Sequence, residues 1–170
     1  MELLIPGLIL VALMVWASTK IKKRAADAFE TEFIETENYS LQKPEGFLHV
    51  IDDPGHEFHA YSRDFGKGDN TGIRQATIDI DVFPYTRLET VRDLVKESAS
   101  RAEIVGDETA SVCRLGAEET ANEIAFNAFY EIVAAENDVY RLRFAVLREH
   151  SDDFLRKIDE TLDSFTVKTK

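Results

Sequence analysis

Gln75-Ala76-Thr77-Ile78-Asp79-Ile80-Asp81-Val82-Phe83-Pro84 is the stretch on which the fold class turns. Ala76, Ile78, Ile80 and Val82 alternate with Thr77, Asp79 and Asp81, until Phe83 breaks the polar set. A period of two predicts a β-strand with one buried face and one wet face. Pro84 ends the strand, because it cannot donate to a ladder. Thr86 followed by Glu89 has the form of a capping box, and Leu88, Val91, Leu94, Val95 and Ala102 recur at helical spacing behind it. An amphipathic helix ending near Gly106 is therefore expected.

Outward from this unit the same reading continues. Residues 109–115 alternate as a strand, with Gly116 and Glu118-Glu119 as the expected turn. Residues 123–134 form a longer strand with Ile124, Phe126, Ala128, Tyr130 and Ile132 on one side. Asn137-Asp138 reads as a hairpin turn, and residues 138–148 pair back. There Tyr140, Leu142, Phe144 and Val146 oppose Arg141 and Arg143. Ser151 is placed to cap a final helix with the stripe Phe154, Leu155, Ile158 and Leu162. Upstream, residues 47–51 and 57–63 are strands separated by the turn Asp52-Asp53-Pro54-Gly55. Short turns between neighbouring strands favour an antiparallel sheet, and two striped helices must bury themselves on its faces. The expected architecture is an α+β domain over residues 46–170, an antiparallel sheet packed by two helices.

The N-terminus reads differently. Residues 3–17, from Leu3 to Ala17, are apolar apart from the break at Pro6-Gly7, and Lys20, Lys22, Lys23 and Arg24 follow at once. A secretory signal carries its positive charge ahead of the apolar stretch, and here only Glu2 stands there. Residues 1–19 are accordingly expected to be a single membrane-spanning helix, with Trp16 at the interface and the basic flank on the cytoplasmic side. About 17 residues give a helix of roughly 25 Å, and snorkelling lysines make up the shortfall. Residues 20–45 then read as a basic flank and an acidic spacer, partly helical over residues 25–36.

Charge narrows the function classes. The chain carries a net charge of −12, and because four of its twenty basic residues but only one of its thirty-two acidic residues precede residue 25, the remainder carries −15. Such a surface repels nucleic-acid phosphates and anionic lipid, and attracts basic partners. The single cysteine, Cys113, excludes an intrachain disulfide and sits in an alternating apolar run, as a small buried hydrophobe would.

No catalytic motif stands out. His56-Glu57-Phe58-His59, with His49, Asp52 and Asp53 nearby, is the one cluster with metal-ligand chemistry. Three residues is an odd step, so on a strand His56 and His59 point to opposite faces, and no metal site, cofactor or catalytic residue is assigned. Asp79 and Asp81 share one strand face about 7 Å apart. Arg141 and Arg143 also alternate, and would neutralise those aspartates if the two strands are neighbours. The loop Gly66–Gly72 lacks the Lys-Ser/Thr of a phosphate loop. Phe83, Tyr85, Phe129 and Val133 lie off the main apolar faces; they form a patch for a protein partner if the second sheet face is bare, and are ordinary core if helices cover both faces.

This organisation resembles the Mog1/PsbP/DcrB-like superfamily over residues 39–168. The residues that carry the likeness are Gly46-Phe47, Ile78–Val82 leading to the helix near Thr86, Tyr130, Tyr140-Arg141-Leu142, and the closing Leu162-Asp163-Ser164-Phe165. The resemblance implies an antiparallel sheet with helices on its faces, and non-catalytic binding or assembly of another protein. Exported members of that group face the periplasm, often as lipoproteins. This chain lacks a lipobox cysteine, and its charge order points inward. The expectation is thus a single-pass inner-membrane protein with a cytoplasmic, acidic domain acting on a protein partner; the alternatives are a periplasm-facing factor of the same fold and, from another class, a metal-dependent hydrolase using Asp79, Asp81 or His59.

Overall fold

The computed structural model describes residues 13–16, 18, 20, 27–106 and 108–168. Two sheets carry the fold. The larger has seven strands, in the order β3 (Phe47–Val50), β4 (Phe58–Ser62), β5 (Ala76–Pro84), β9 (Asp138–Leu147), β8 (Ile124–Ala135), β7 (Val112–Ala121) and β6 (Arg101–Ile104). All its paired strands are antiparallel. The smaller has the order β1 (Glu32–Glu35), β2 (Tyr39–Lys43) and β10 (Thr166–Val167). Helix α1 (Leu88–Ser98) follows β5, and α2 (Ser151–Ser164) follows β9.

The stretch that opened the sequence reading forms the nine-residue β5, paired with β9 along its whole length. Its partner faces separate as the period of two requires. Ile78 opposes Phe144 and Ile80 opposes Leu142 on one side, while Asp79 opposes Arg143 and Asp81 opposes Arg141 on the other.

The first face, called A below, is buried by α2 and the small sheet. Phe47, Phe58, Ala60, Ile78, Ile80, Leu142 and Phe144 pack there against Phe154, Ile158, Leu162, Tyr39 and Leu41. The second face, B, is buried by α1. Leu88, Val91 and Val95 sit on Cys113, Leu115, Ala128, Tyr130, Ile132 and Val139. Face A is therefore apolar towards the β3 side and face B towards the β7 side. The two helices cover the sheet diagonally.

A length argument explains why cover is partial. Seven strands at about 4.8 Å spacing make a sheet about 29 Å wide. An eleven-residue helix is about 16 Å long and about 10 Å across, so α1 cannot roof the whole of face B. Among the described residues, no helix covers the B side of β3, β4 and the part of β5 before Phe83.

Several expectations are corrected here. The acidic spacer does not extend to residue 45: residues in 32–43 are strand, Tyr39 and Leu41 are buried, and the small sheet is an integral layer of the domain. Lys43 shows why. It is fully buried, and its ammonium donates to the carbonyls of Glu30 (2.6 Å), Phe47 (2.7 Å) and Ala28 (3.4 Å), so three donors meet three acceptors. Burial lowers its pKa while Glu32 opposes that. Helix over residues 25–36 is likewise replaced by strand Glu32–Glu35, which pairs with β2.

The capping box does not form, because Thr86 Oγ1 donates to the Pro84 carbonyl instead and Arg87 occupies the N-cap position. Helix α1 stops at Ser98, and Ala102 belongs to the edge strand β6. Ser151 is the first helical residue of α2, and its hydroxyl accepts from Asn127 Nδ2 at 3.1 Å. Gly116 is no turn: it pairs with Phe129 inside the ladder. The turn lies at Asn122-Glu123, both with positive φ (50° and 68°), between the paired Ala121 and Ile124. The next hairpin turns at Glu136-Asn137, one residue earlier than expected, since Ala135 pairs with Asp138.

Of the anchor and flank, Leu3, Lys22, Lys23 and Arg24 lie outside the described residues. Leu13–Trp16 are helical and exposed, and the Lys20 ammonium lies 4.8 Å from the Trp16 ring centroid. Among the described residues no helix is long and apolar enough to cross a membrane.

Candidate functional site

The bare half of face B is where the chain gathers its polar chemistry. Strand register does most of the assembly. Asp79 stands between His59 on β4 and Arg143 on β9, and Tyr130 on β8 is the next residue across. Asp81 stands beside Arg141 in the same way.

The side chains form one connected ribbon. Arg143 Nη1 donates to Asp79 Oδ2 at 3.1 Å, its Nη2 to Glu119 Oε2 at 2.6 Å, and its Nε to the Tyr130 hydroxyl at 3.2 Å. The Tyr130 hydroxyl donates in turn to the Glu119 carboxylate. Asp79 Oδ1 meets His59 Nδ1 at 2.6 Å. His56 Nδ1 meets Asp81 Oδ1 at 2.7 Å, and Asp81 Oδ2 accepts from Arg141 Nη2 at 2.7 Å. The Arg141 guanidinium lies 5.0 Å from the Phe83 ring centroid. Asp79 and Asp81 thus each offer one oxygen to an arginine and the other to a histidine, while Glu119 divides its oxygens between Arg143 and Tyr130.

The electrostatics follow from depth. Burial works against the charge of Arg143, but the bond and charge of Glu119 outweigh it and its pKa is raised. Burial also pushes the Tyr130 hydroxyl upward, with the Glu119 bond adding to it. Both groups are therefore locked in their ordinary protonation states near neutral pH. The ribbon has paired charges at its centre and two imidazoles at its rim.

At that rim is an open cleft of about 470 Å³, lined in part by Asp52, Asp53, His56, Glu57 and Asp81. Asp53 shapes its wall. Its Oδ1 accepts from the backbone N–H of Gly55 at 2.7 Å and of His56 at 3.2 Å, an Asx-type turn. The Gly55 bond lowers the Asp53 pKa and keeps the carboxylate charged. This turn delivers His56 to the strand from outside it. Strand β4 begins at Phe58, so the alternation rule does not govern His56. The expectation that His56 and His59 face opposite ways is corrected: their rings stack, with centroids 5.7 Å apart and planes 22° apart. His49 is not part of the cluster, since its ring lies against Phe58 at 4.7 Å.

The four residues expected as a partner patch are not brought together. Phe83 packs at the margin of the core under α1, while Phe129 and Val133 pack at the margin of the opposite core under α2. Tyr85, at positive φ (55°) after Pro84, is 90% exposed. Cys113 is fully buried below α1, where burial raises its thiol pKa. Sequence reasoning missed Glu119 and Tyr130, having assigned Glu119 to a turn. Their signal is the length of the alternation: Cys113, Leu115, Ala117 and Glu119 keep a period of two straight through Gly116.

The sequence matches no family model and no curated protein. Likeness appears in three dimensions. LpqN, a Mycobacterium tuberculosis protein involved in cell envelope biogenesis, superposes with a TM-score of 0.57 at 10% identity, covering 82% of this chain and 91% of LpqN. The Saccharomyces cerevisiae Ran-binding protein Mog1p superposes with a TM-score of 0.54 at 12% identity, over 83% of this chain and 97% of Mog1p. The chain has the Mog1-like α+β fold. At such identities the likeness establishes the architecture alone, and function must be argued from the site.

Proposed function

We propose that this chain is a non-catalytic binding domain, tethered to a membrane by residues 1–19, that takes a basic protein partner on the bare half of face B. The observation that carries the reading is the uncovered polar half-face with its acidic cleft. Asp52, Asp53, Glu57 and Asp81 line one opening, and the chain beyond residue 24 carries a charge of −15. Carboxylates concentrated at a concave surface steer cationic groups to it. The ribbon behind them supplies a fixed framework: its carboxylates are paired with arginines and imidazoles, and its tyrosine's proton is held by burial and by Glu119.

The tether rests on the sequence asymmetry, an apolar run followed at once by four basic residues, which also supports a cytoplasmic domain. Tethering would raise the local concentration of the domain around a membrane complex. The periplasm-facing alternative draws on the likeness to an envelope protein. C-terminal fusions separate the two: green fluorescence with silent alkaline phosphatase supports the cytoplasmic placement, and the reverse refutes it. The binding reading is tested by crosslinking the full chain in membranes beside a triple Asp52→Lys, Asp53→Lys, Glu57→Lys variant. A partner with a basic surface should be captured by the parent and lost in the variant. Equal capture by both would overturn the acidic cleft as the docking site.

A further inference from the structure

We infer that His56, His59 and Asp79 form a binding site for a divalent transition-metal ion such as zinc, with Asp81 and Arg143 as its supporting shell. One potential ligand atom from each of the three residues lies within 4.8 Å of the others. Two imidazoles and one carboxylate are the donor set that borderline metals prefer, whereas calcium and magnesium take oxygen.

The hydrogen bonds assign roles to the individual atoms. A carboxylate only accepts, so His56 Nδ1 donates its proton to Asp81 Oδ1 at 2.7 Å. In the neutral ring this leaves the lone pair on Nε2, which faces Asp79 Oδ1 at 3.9 Å. A ligating histidine oriented by a carboxylate on its other nitrogen is the common arrangement in metal sites. Asp79 is prepared in the same sense. Arg143 holds its Oδ2 at 3.1 Å, leaving Oδ1 for an ion. His59 Nδ1 presently donates to that Oδ1 at 2.6 Å. On metal binding this nitrogen would give its lone pair to the ion, and the ring would carry its proton on Nε2.

The separations suit the ion. Bonds of about 2.0–2.1 Å in a tetrahedral site place ligand atoms about 3.3 Å apart. The two contacts to Asp79 Oδ1, at 2.6 and 3.9 Å, bracket that spacing, and with the three ligand atoms spread over as much as 4.8 Å the side chains must draw together around the ion. Charge balance agrees. With neutral imidazoles the ribbon holds three carboxylates (Glu119, Asp79 and Asp81) against two guanidiniums (Arg141 and Arg143), leaving one uncompensated negative charge beside further carboxylates in the cleft. His56 lines the cleft, which supplies an entry path and room for a fourth ligand.

The test uses the full chain in detergent, stripped with chelator. Cobalt(II) is titrated while visible absorption is followed, then displaced by zinc, and zinc binding is measured by calorimetry. The expected result is one ion per chain, with tetrahedral cobalt bands that zinc abolishes. His59→Ala and His56→Ala should each weaken binding at least 100-fold, and Asp81→Asn about 10- to 100-fold, the usual effect of losing an orienting partner. Calcium and magnesium should not compete. His56→Ala, at the cleft rim, tests the site even if His59→Ala impairs folding. Absence of stoichiometric binding, or binding that survives both histidine substitutions, overturns the assignment. The outcome is independent of partner capture, so either proposal can fail while the other stands.

Discussion

The two halves of face B lie side by side on one sheet and behave as different materials. Under α1, Cys113, Leu115, Ala128 and Ile132 are excluded from water and need no partners beyond packing. A few ångströms along the same sheet, Asp79, Asp81, Arg141 and Arg143 are held in ion pairs. The difference is roofing. A helix reduces the free energy of apolar side chains beneath it and heavily penalises unpaired charge. Beyond its edge, charges keep enough water to be useful and enough protein to be held still. Asp79 marks the boundary: it is a charged residue only 5% exposed, yet it faces an imidazole that reaches solvent.

That contrast can be broken by experiment, most strongly at the join. Arg143→Leu removes the cation shared by Glu119 and Asp79 and leaves one buried and one half-buried carboxylate without it. We expect a loss of about 3–5 kcal/mol in urea unfolding. A loss under about 1 kcal/mol would mean that the ribbon is solvated and the two halves are alike. On the apolar side, Val91→Ala opens a small cavity below α1 and should cost about 2 kcal/mol, independent of salt. Salt sensitivity in that variant would contradict a purely apolar half. Smaller again, and of opposite sign, Glu123→Gly relieves a left-handed backbone at the β7–β8 hairpin and should raise stability by about 1 kcal/mol. A drop in melting temperature would show that the Glu123 side chain contributes more than its backbone costs.

The smallest effect concerns pH on the opposite face. Burial lowers the His49 pKa, with Glu32 opposing and Lys43 and His59 assisting. A depressed imidazole favours the folded state when neutral, so its contribution is intact above the ordinary histidine range near 6.5. It is lost as pH falls from there through the lower folded value. Melting curves of the parent and His49→Gln from pH 7.5 to 5 should converge or cross towards acid, with the parent falling more steeply. Parallel curves would show that His49 does not couple folding to protons.

Much of this was legible in one dimension because strand alternation is a local property. The residues of β5, β8 and β9 were assigned to their faces by period alone, and the pairing of Asp79 and Asp81 with Arg143 and Arg141 followed once β5 and β9 proved adjacent. Turn positions were legible less well. Gly116 suggested a break that the ladder overrode, while Asn122-Glu123 supplied the left-handed geometry. The small sheet was hidden altogether, because Ser40, Gln42 and the acidic run around β1 look like solvated spacer until the burial of Leu41 and Lys43 is seen. The stacked histidines were hidden for a related reason: a two-residue offset between the Asp53 turn and the start of β4 decides which way His56 points.

What the sequence determined by itself is the set of amphipathic elements, their antiparallel connection and the acidic balance of the chain, since each depends on neighbours a few residues away. Only the tertiary structure decided that each helix roofs half a face on opposite sides, and that Glu119, Tyr130, Arg143, Asp79 and two histidines meet. Cover depends on how far a helix of given length reaches over a sheet of given width, and contact between distant strands depends on their order. Neither quantity is written in any local window of residues.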